Sequence, residues 1–505
     1  MIAIFRVATS QFRPIAVRSI APLWRKHGIC PSRTFNAENV HERTMSTKNH
    51  LPNMKTNVLP VDVRKIGTFN AKQAEDDILD ELQIDFDASN DEGAKSLAEA
   101  ANALRDADVP VAFPTETVYG LGADATRSSA VRGIYKAKQR PSDNPLIVHF
   151  ASLKQLRKLL RPTQANDYTS KGQEHDAIPA IYRPLISRFW PGPLTIILPN
   201  PTNSPLAPEV TAGLDTFGAR MPKHALALAL ITLADRPIAA PSANASTKPS
   251  PTAAEHVAYD LDGRIEMILD GGPCNVGVES TVVTGLSDPP RILRPGGVSL
   301  EQVRSCPGWE RTEIGYKNVA ETDSRPTAPG MKYRHYSPKA NVVLYEVGTT
   351  PPDMRVLRNA CTSGDKLGVI TTKCWRMSNE ISDLPILYLE QAPSRTSSGQ
   401  TDPPTTPGFA GMLEMLENAP DARQALQVHN VSRERGSKKS SFQILELALG
   451  PNVTNIARGV FSALRELDHS EVDTIFVEGI DDEEGDTAAA VMNRLRKAAE
   501  VRMAN

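Results

Sequence analysis

From about Gly93 onward the chain alternates helix-like and strand-like segments, and this alternation constrains the fold more than any other feature. Leu97, Ala101, Leu104 and Ala107 recur at helical spacing, and residues 109–113 (Val-Pro-Val-Ala-Phe) follow as a short buried strand. Residues 127–138 read as helix, 146–148 as strand, 152–160 as helix, 194–198 as strand, 223–234 as helix and 237–240 as strand. Strands separated by helices in this way predict an α/β fold. The polar stretch 161–182 reads as a surface insertion.

Around residues 322–338 the composition shifts to a Pro-bearing linker, and a second α/β unit follows. Strands are expected near 342–345, 367–370 and 386–389, then a helix from about Val453. On that helix Ile456, Val460, Phe461, Leu464 and Leu467 share one face. Residues 474–477 read as a buried strand and 488–501 as a closing helix. The stretch 391–441 is rich in Ser, Thr, Pro, Gly and Gln and is expected to be disordered.

Composition bounds the classes of function. Of 505 residues, 57 are Lys or Arg and 59 are Asp or Glu, a net charge of −2. Residues 1–37 hold six of the bases (Arg6, Arg13, Arg18, Arg25, Lys26, Arg33) and no acid. An Arg-rich, acid-free, weakly amphipathic segment has the composition of a mitochondrial presequence, and residues 38–91 are expected to follow it as a flexible segment. Translation from Met45 or Met54 would omit the signal, so dual mitochondrial and cytoplasmic location is expected. Without the leader the body is acidic, at −8 (51 bases against 59 acids), which argues against a nucleic-acid coat. No run approaches the ~18 apolar residues of a membrane span. Cys30, Cys274, Cys306, Cys361 and Cys374 form no C-x-x-C pair, so neither a disulfide framework nor a zinc knuckle is indicated.

The familiar catalytic templates fail: there is no G-K-[ST], no complete G-x-G-x-x-G, no H-E-x-x-H and no G-x-S-x-G. What remains is a set of polar clusters at strand ends or turns. Residues 114–122 (Pro-Thr-Glu-Thr-Val-Tyr-Gly-Leu-Gly) offer hydroxyls and close backbone approach, although a turn with incidental threonines fits them equally. Lys138 and Arg140 end a helix, where they offset its dipole or clamp a phosphate or carboxylate. His149 closes the next strand, and a lone histidine there more often packs than binds. Arg220 stands just before a helix expected near Pro222, beside free backbone N–H groups. Ser242 and Asn244 (with Ser250 beyond), Ser280 and Arg294 complete the set. Several cations and many hydroxyls without a metal-ligand cluster suit an anionic, polyphosphate-bearing small molecule.

Together these clusters resemble the threonylcarbamoyl-AMP synthase family. The motifs that carry the resemblance are K-x-R at 138–140, S-x-N at 242–244, P-T-E-T-V-Y-G-L-G, F-W-P-G-P-L-T at 189–195 and the R-P-G turn at 294. The linker Gly-Met-Lys-Tyr-Arg-His-Tyr-Ser-Pro (330–338), the Ile-Ala-Arg at 456 and the Asn-Arg-Leu-Arg-Lys-Ala-Ala at 493–499 look like its two-domain form. The resemblance implies a YrdC-like catalytic domain over 92–310, a twisted open sheet with a concave site. It implies a linker over 322–338 and a smaller Rossmann-like three-layer α/β domain over 339–502.

The implied reaction takes L-threonine, bicarbonate and ATP to L-threonylcarbamoyl-adenylate and pyrophosphate. A separate complex would then transfer the group to the adenosine beside a tRNA anticodon. By matching motif positions, the resemblance assigns threonine to Thr117, His149, Arg220, the Ala240 backbone and Ser280. It assigns ATP to Lys138, Arg140, Asn144, Thr216, Ser242, Asn244, Ser250 and Arg294, with Lys138, Arg140, Ser242 and Asn244 central to catalysis. No protein metal cage is implied, and Mg²⁺ would ride on the nucleotide phosphates. The linker residues Tyr333, His335 and Tyr336 would either shield the site mouth or merely tether the domains. Gly485-Asp-Thr-Ala488 departs from the family pattern and puts a tight turn in doubt. The alternatives are a double-stranded RNA or tRNA-binding module, with weak RNA binding, and a carbamoyltransferase with another acceptor.

Overall fold

The computed structural model describes residues 54–73, 79–89, 91–161, 176–316, 335–361, 366–375, 386–387, 426–435 and 438–504. The chain opens with β1 (Asn57–Pro60) and a hairpin of β2 (Thr68–Gln73) and β3 (Leu79–Asp85). Then come α1 (Glu92–Asp106), β4 (Val111–Phe113), β5 (Gly120–Asp124), α2 (Ser128–Lys138), β6 (Ile147–His149) and α3 (Leu153–Leu160). It continues through α4 (Arg183–Phe189), β7 (Leu194–Pro199), α5 (Pro208–Thr211), β8 (Thr216–Arg220), α6 (Ala225–Ala234) and β9 (Ile238–Ala239). The first domain closes with α7 (Ala254–Leu261), β10 (Met267–Asp270), β11 (Thr281–Thr284), β12 (Arg291–Arg294), α8 (Leu300–Arg304) and β13 (Glu313–Ile314).

Apart from the β2–β3 hairpin, these strands form one mixed sheet in the order β1-β10-β4-β5-β9-β6-β8-β7-β11-β12-β13. Helix α1 shows how the sequence builds it. Asp91 caps the first turn by accepting from the Gly93 and Ala94 N–H groups, and Leu97, Ala100, Ala101 and Leu104 then make one buried stripe. Burying Leu97 and Leu104 contributes roughly 2–3 kcal/mol each. Helix α6 (Ala-Leu-Ala-Leu-Ala-Leu-Ile-Thr-Leu-Ala) is buried along most of its length, as an apolar helix with no polar face must be.

The second domain comprises β14 (Asn341–Tyr345), α9 (Met354–Ala360), β15 (Lys366–Thr371), β16 (Ile386–Leu387), β17 (Leu426–Arg435) and β18 (Lys438–Ala448). It ends with α10 (Val453–His469), β19 (Thr474–Glu478), α11 (Asp486–Ala498) and β20 (Val501–Met503). Its sheet order is β16-β17-β18-β15-β19-β14-β20, parallel from β18 to β20. Val342, Leu344, Ile475 and Val477 face α10 and α11, whereas Tyr345, Leu367, Val369 and Phe476 face α9. Period-two alternation thus gives the three-layer arrangement. The mixed α/β class and the two-domain form agree with expectation.

Several boundaries differ from expectation. Within the supposedly flexible 38–91, β1 pairs in parallel with β10, and β2 pairs with β3, with Phe69 opposite Ile84. The acidic run that follows Gln73 hides this alternation in the sequence. Of the expected disordered stretch 391–441, residues 426–435 and 438–441 belong to a long hairpin whose register sets Leu426 against Leu447; the remainder lies outside the described residues. The supposed surface insertion 161–182 ends in buried Ile178 and Tyr182, and the Tyr182 hydroxyl donates to the Ile197 carbonyl at 2.5 Å. The closing helix stops at Ala498, and Val501–Met503 joins the sheet beside β14. Gly485, at φ 114°, supplies a positive-φ entry to α11, so a tight turn is present there. Among the described residues no helix is long and apolar enough to cross a membrane.

Candidate active site

The polar clusters converge on one cavity of about 270 Å³. It lies where the ends of β6, β8, β9 and β12 meet the end of α2, and it is lined among others by Lys138, Arg140, Asn144, His149, Arg220, Ala240, Ser242, Asn244, Ser280 and Arg294. His335 and Tyr336 of the linker line it as well; Tyr333 lies outside the described residues.

Local chain geometry puts these groups there. Helix α2 ends at Gln139 in the left-handed region (φ 53°), which turns the chain so that the Arg140 N–H donates to the Tyr135 carbonyl. The Gly120-Leu-Gly122 stretch lies inside β5 and carries the S-x-N loop. Gly120 bridges Ser242, Leu121 N–H donates to the Pro241 carbonyl, and Ala243 N–H donates to the Tyr119 carbonyl. Lys138 ties the two short motifs together, since its ammonium donates at 2.5 Å to the carbonyls of both Ser242 and Asn244. Burial and the Arg140 charge push its pKa well below the ordinary lysine value. Lys138 thus braces the loop through its ammonium, which also lies 3.3 Å from the Asn244 side-chain oxygen. Arg140 differs: it donates weakly to the Pro145 carbonyl (3.3 Å), and its buried Nε has no partner.

On the other wall, Arg220 ends β8, and the next helix, α6, begins only at Ala225. The helix expected near Pro222 thus starts three residues later. Arg220 instead pairs with Glu116 (2.8 Å) and donates to the Thr117 hydroxyl (2.9 Å). Burial and the Arg220 charge bring His149 down to about 3, so its imidazole is neutral, and Nδ1 has no partner. Arg294 donates to the Ser280 carbonyl and hydroxyl at 2.9 and 3.0 Å, and that hydroxyl also meets Thr195 at 2.8 Å. Burial would raise the Glu279 carboxyl, but the guanidiniums of Arg494 and Arg294 hold it at about 2.

Three expected contacts stand away from the cavity lining. Thr117 stands behind the lining: its hydroxyl accepts from Arg220 at 2.9 Å and lies 2.9 Å from the Thr115 hydroxyl, and both of those residues line the cavity. Ser250 is wholly buried, its hydroxyl donating to Glu279 at 2.6 Å. Thr216 opens β8, two residues before Gly218, the partner of Ile147. Conversely, Glu116 and Glu279 were not singled out by sequence. The only hint was an acid lodged among glycines and hydroxyls in Pro-Thr-Glu-Thr and Gly-Val-Glu-Ser. The cavity also takes in Ser246, Thr247 and Lys248, whose loop carries no sequence signature.

The site is unfinished in hydrogen-bonding terms. Arg140 Nε, Asn144 Oδ1, His149 Nδ1, Ser246 Oγ and His335 Nε2 are buried without partners, and all five residues line the cavity. Each such group costs about 1–3 kcal/mol unless a ligand or water satisfies it. Among the described residues no group of three His, Cys, Asp or Glu side chains is placed to hold a metal ion.

Fold and site together define a two-domain α/β protein with a buried, cation-lined cavity at strand ends, the place where open α/β sheets bind ligands. A family model described as telomere recombination matches residues 103–296, and one described as threonylcarbamoyl-AMP synthase, C-terminal domain, matches 298–500. The threonylcarbamoyl-AMP synthase of Schizosaccharomyces pombe is 43% identical over 463 residues, covering 89% of this chain and 98% of that one. That of Bacillus subtilis is 38% identical over 423 residues, covering 84% and 96%. The crystal structure of Pyrococcus abyssi Sua5 complexed with L-threonine superposes with a TM-score of 0.58 at 34% identity, covering 89% of this chain and all of that one. The chain belongs to the threonylcarbamoyl-AMP synthase family.

Proposed function

We propose that the cavity joins L-threonine, bicarbonate and ATP into L-threonylcarbamoyl-adenylate and pyrophosphate, for modification of the adenosine beside the tRNA anticodon. The carrying observation is the set of buried, unpartnered polar atoms around one cation-lined cavity. The threonine amine and bicarbonate give a carbamate and water. A carbamate oxygen then attacks the α-phosphorus as the bond to the bridging oxygen breaks, and pyrophosphate leaves. Arg140, with its Nε unpartnered, faces phosphate; Arg220, held by Glu116, forks the amino-acid carboxylate. Neutral His149 meets the amino acid by a hydrogen bond at Nδ1. Ser242 and Asn244 are held by Lys138, so catalysis is positioning and electrostatics on a braced loop. Mg²⁺ enters on the nucleotide, bound mainly by phosphate oxygens. A separate transfer complex receives the product.

The test is pyrophosphate release from ATP and bicarbonate with each amino acid. Release that depends on threonine is expected, with alanine and valine poor, because a site built around a hydroxyl leaves its partner unpaired with them. Arg140→Ala and Ser242→Ala should each lower kcat/KM at least about a hundredfold with the circular dichroism of the fold retained. Threonine-independent release would sink the reading.

We infer separately that residues 1–37 are a mitochondrial targeting segment. Starts at Met45 or Met54 would both precede β1 at Asn57, leaving every described strand in place. Amino-terminal sequencing of protein from each compartment tests this, and a single uncleaved start at Met1 would overturn it.

A further inference from the structure

Three arginines of the second domain donate into the first: Arg458 of α10 to the Asn275 carbonyl, Arg465 of α10 to Asp260 at 2.8 Å, and Arg494 of α11 to Glu279 at 3.0 Å. Arg494 is the one that reaches the cavity wall. Its side chain is 1% exposed, and its Nη1 also donates to the Pro295 carbonyl at 2.6 Å. Its guanidinium carbon lies 5.9 Å from the ring centre of Tyr336, which lines the cavity from the linker. Glu279 uses its other oxygen to accept from Ser250, and the next residue, Ser280, carries the carbonyl and hydroxyl that hold Arg294. One side chain thus grips both segments that present Ser280 and Arg294, and it stacks on the linker at the same point.

We propose that Arg494 is a positioning residue for the reaction: it fixes the Glu279–Ser280 segment, the Arg294-Pro-Gly turn and Tyr336 in working register without touching substrate. A buried ion pair is a poor way to gain stability, since apolar side chains of like volume replacing both partners do as well, but its two-point geometry fixes orientation. The second domain accordingly completes the site. This rests on the synthase reading above.

The test compares Arg494→Met and Arg494→Lys with wild type in threonine-dependent pyrophosphate release, with urea midpoints measured alongside. A misplacement of about 1 Å at a reacting site costs on the order of a hundredfold, so Arg494→Met should lower kcat about ten- to a hundredfold. Combination with Glu279→Gln should cost less than the sum of the two single losses, because both remove the Arg494–Glu279 contact. The loss should fall on kcat at saturating substrate in a protein that remains folded, with KM changed much less, a split that a purely scaffolding role would not give. Wild-type kcat in folded Arg494→Met, or fully additive losses with Glu279→Gln, would overturn the proposal. Should Arg494→Met not fold, Arg494→Lys decides, since it keeps the charge but loses the fork: a lowered kcat supports the inference and an unchanged one ends it. Wild-type protein without threonine-dependent release would instead defeat the synthase reading itself.

Discussion

At the scale of single residues, the site is a set of charges and neutral groups fixed by burial. His149 and His224 are brought by burial to about 3 and about 4, from an ordinary 6.5. As pH falls below 6.5 the unfolded chain takes up protons that the native state refuses, so each histidine lowers stability by about 1.4 kcal/mol per pH unit until its native value is reached. Glu279 acts in a lower window. Its native value of about 2 lies below the ordinary 4.5, so its contribution is complete above 4.5 and is lost as pH falls from 4.5 towards 2. Urea midpoints should therefore drop steadily between about pH 6.5 and 4, and His224→Asn should make that drop shallower throughout. A midpoint constant over that range would contradict the assignment. Residue identity was the most legible level in the sequence. The K-x-R and S-x-N motifs announce themselves because each is local. Glu279 was passed over because its meaning depends on Arg494, which is 215 positions away.

At the scale of elements, β6, β7 and β9 could be read from apolar runs, and α10 from its stripe. The early strands could not. β1 is four residues long and finds its partner β10 more than two hundred positions later, so no local period marks it. The stretch from Val276 to Thr281 shows how tightly elements meet around the site. Gly277 has φ 81°, and a Cβ there would overlap the backbone of Ala457 and Arg458 in α10. Gly272 has φ 88° with open space around it. Gly272→Ala should cost only the left-handed penalty, about 1–2 kcal/mol, whereas Gly277→Ala should cost some 2 kcal/mol more and loosen α10. Chemical denaturation of the two variants measures the difference, and equal losses would refute the close packing.

At the scale of the molecule, a core of the second domain reaches into the first. Val118 and Val278 of the first domain belong to the same buried cluster as Tyr336, Ile456, Phe461 and Val491 of the linker and second domain. The buried pair Arg465–Asp260 and the Lys248–Asp468 contact cross the same boundary. Interfaces of this kind couple domains, so unfolding should follow one cooperative transition, coincident by far-ultraviolet circular dichroism and tryptophan fluorescence. Two resolved transitions would refute it. The sequence foretold two domains and a linker, but not this union, because the pattern that buries Val118 reads locally as part of a strand-end turn.

The three crossing arginines bear on how the protein comes into being. Arg458, Arg465 and Arg494 all donate from the later part of the chain, and their acceptors all lie in the earlier part. A ribosome therefore finishes Asp260 and Glu279 some two hundred residues before it makes their partners. Through that interval the nascent first domain carries two carboxylates built to be buried against arginines not yet synthesised. On the positioning role proposed for Arg494, a nascent chain halted before α11 would hold the motifs with the Glu279–Ser280 segment not yet fixed.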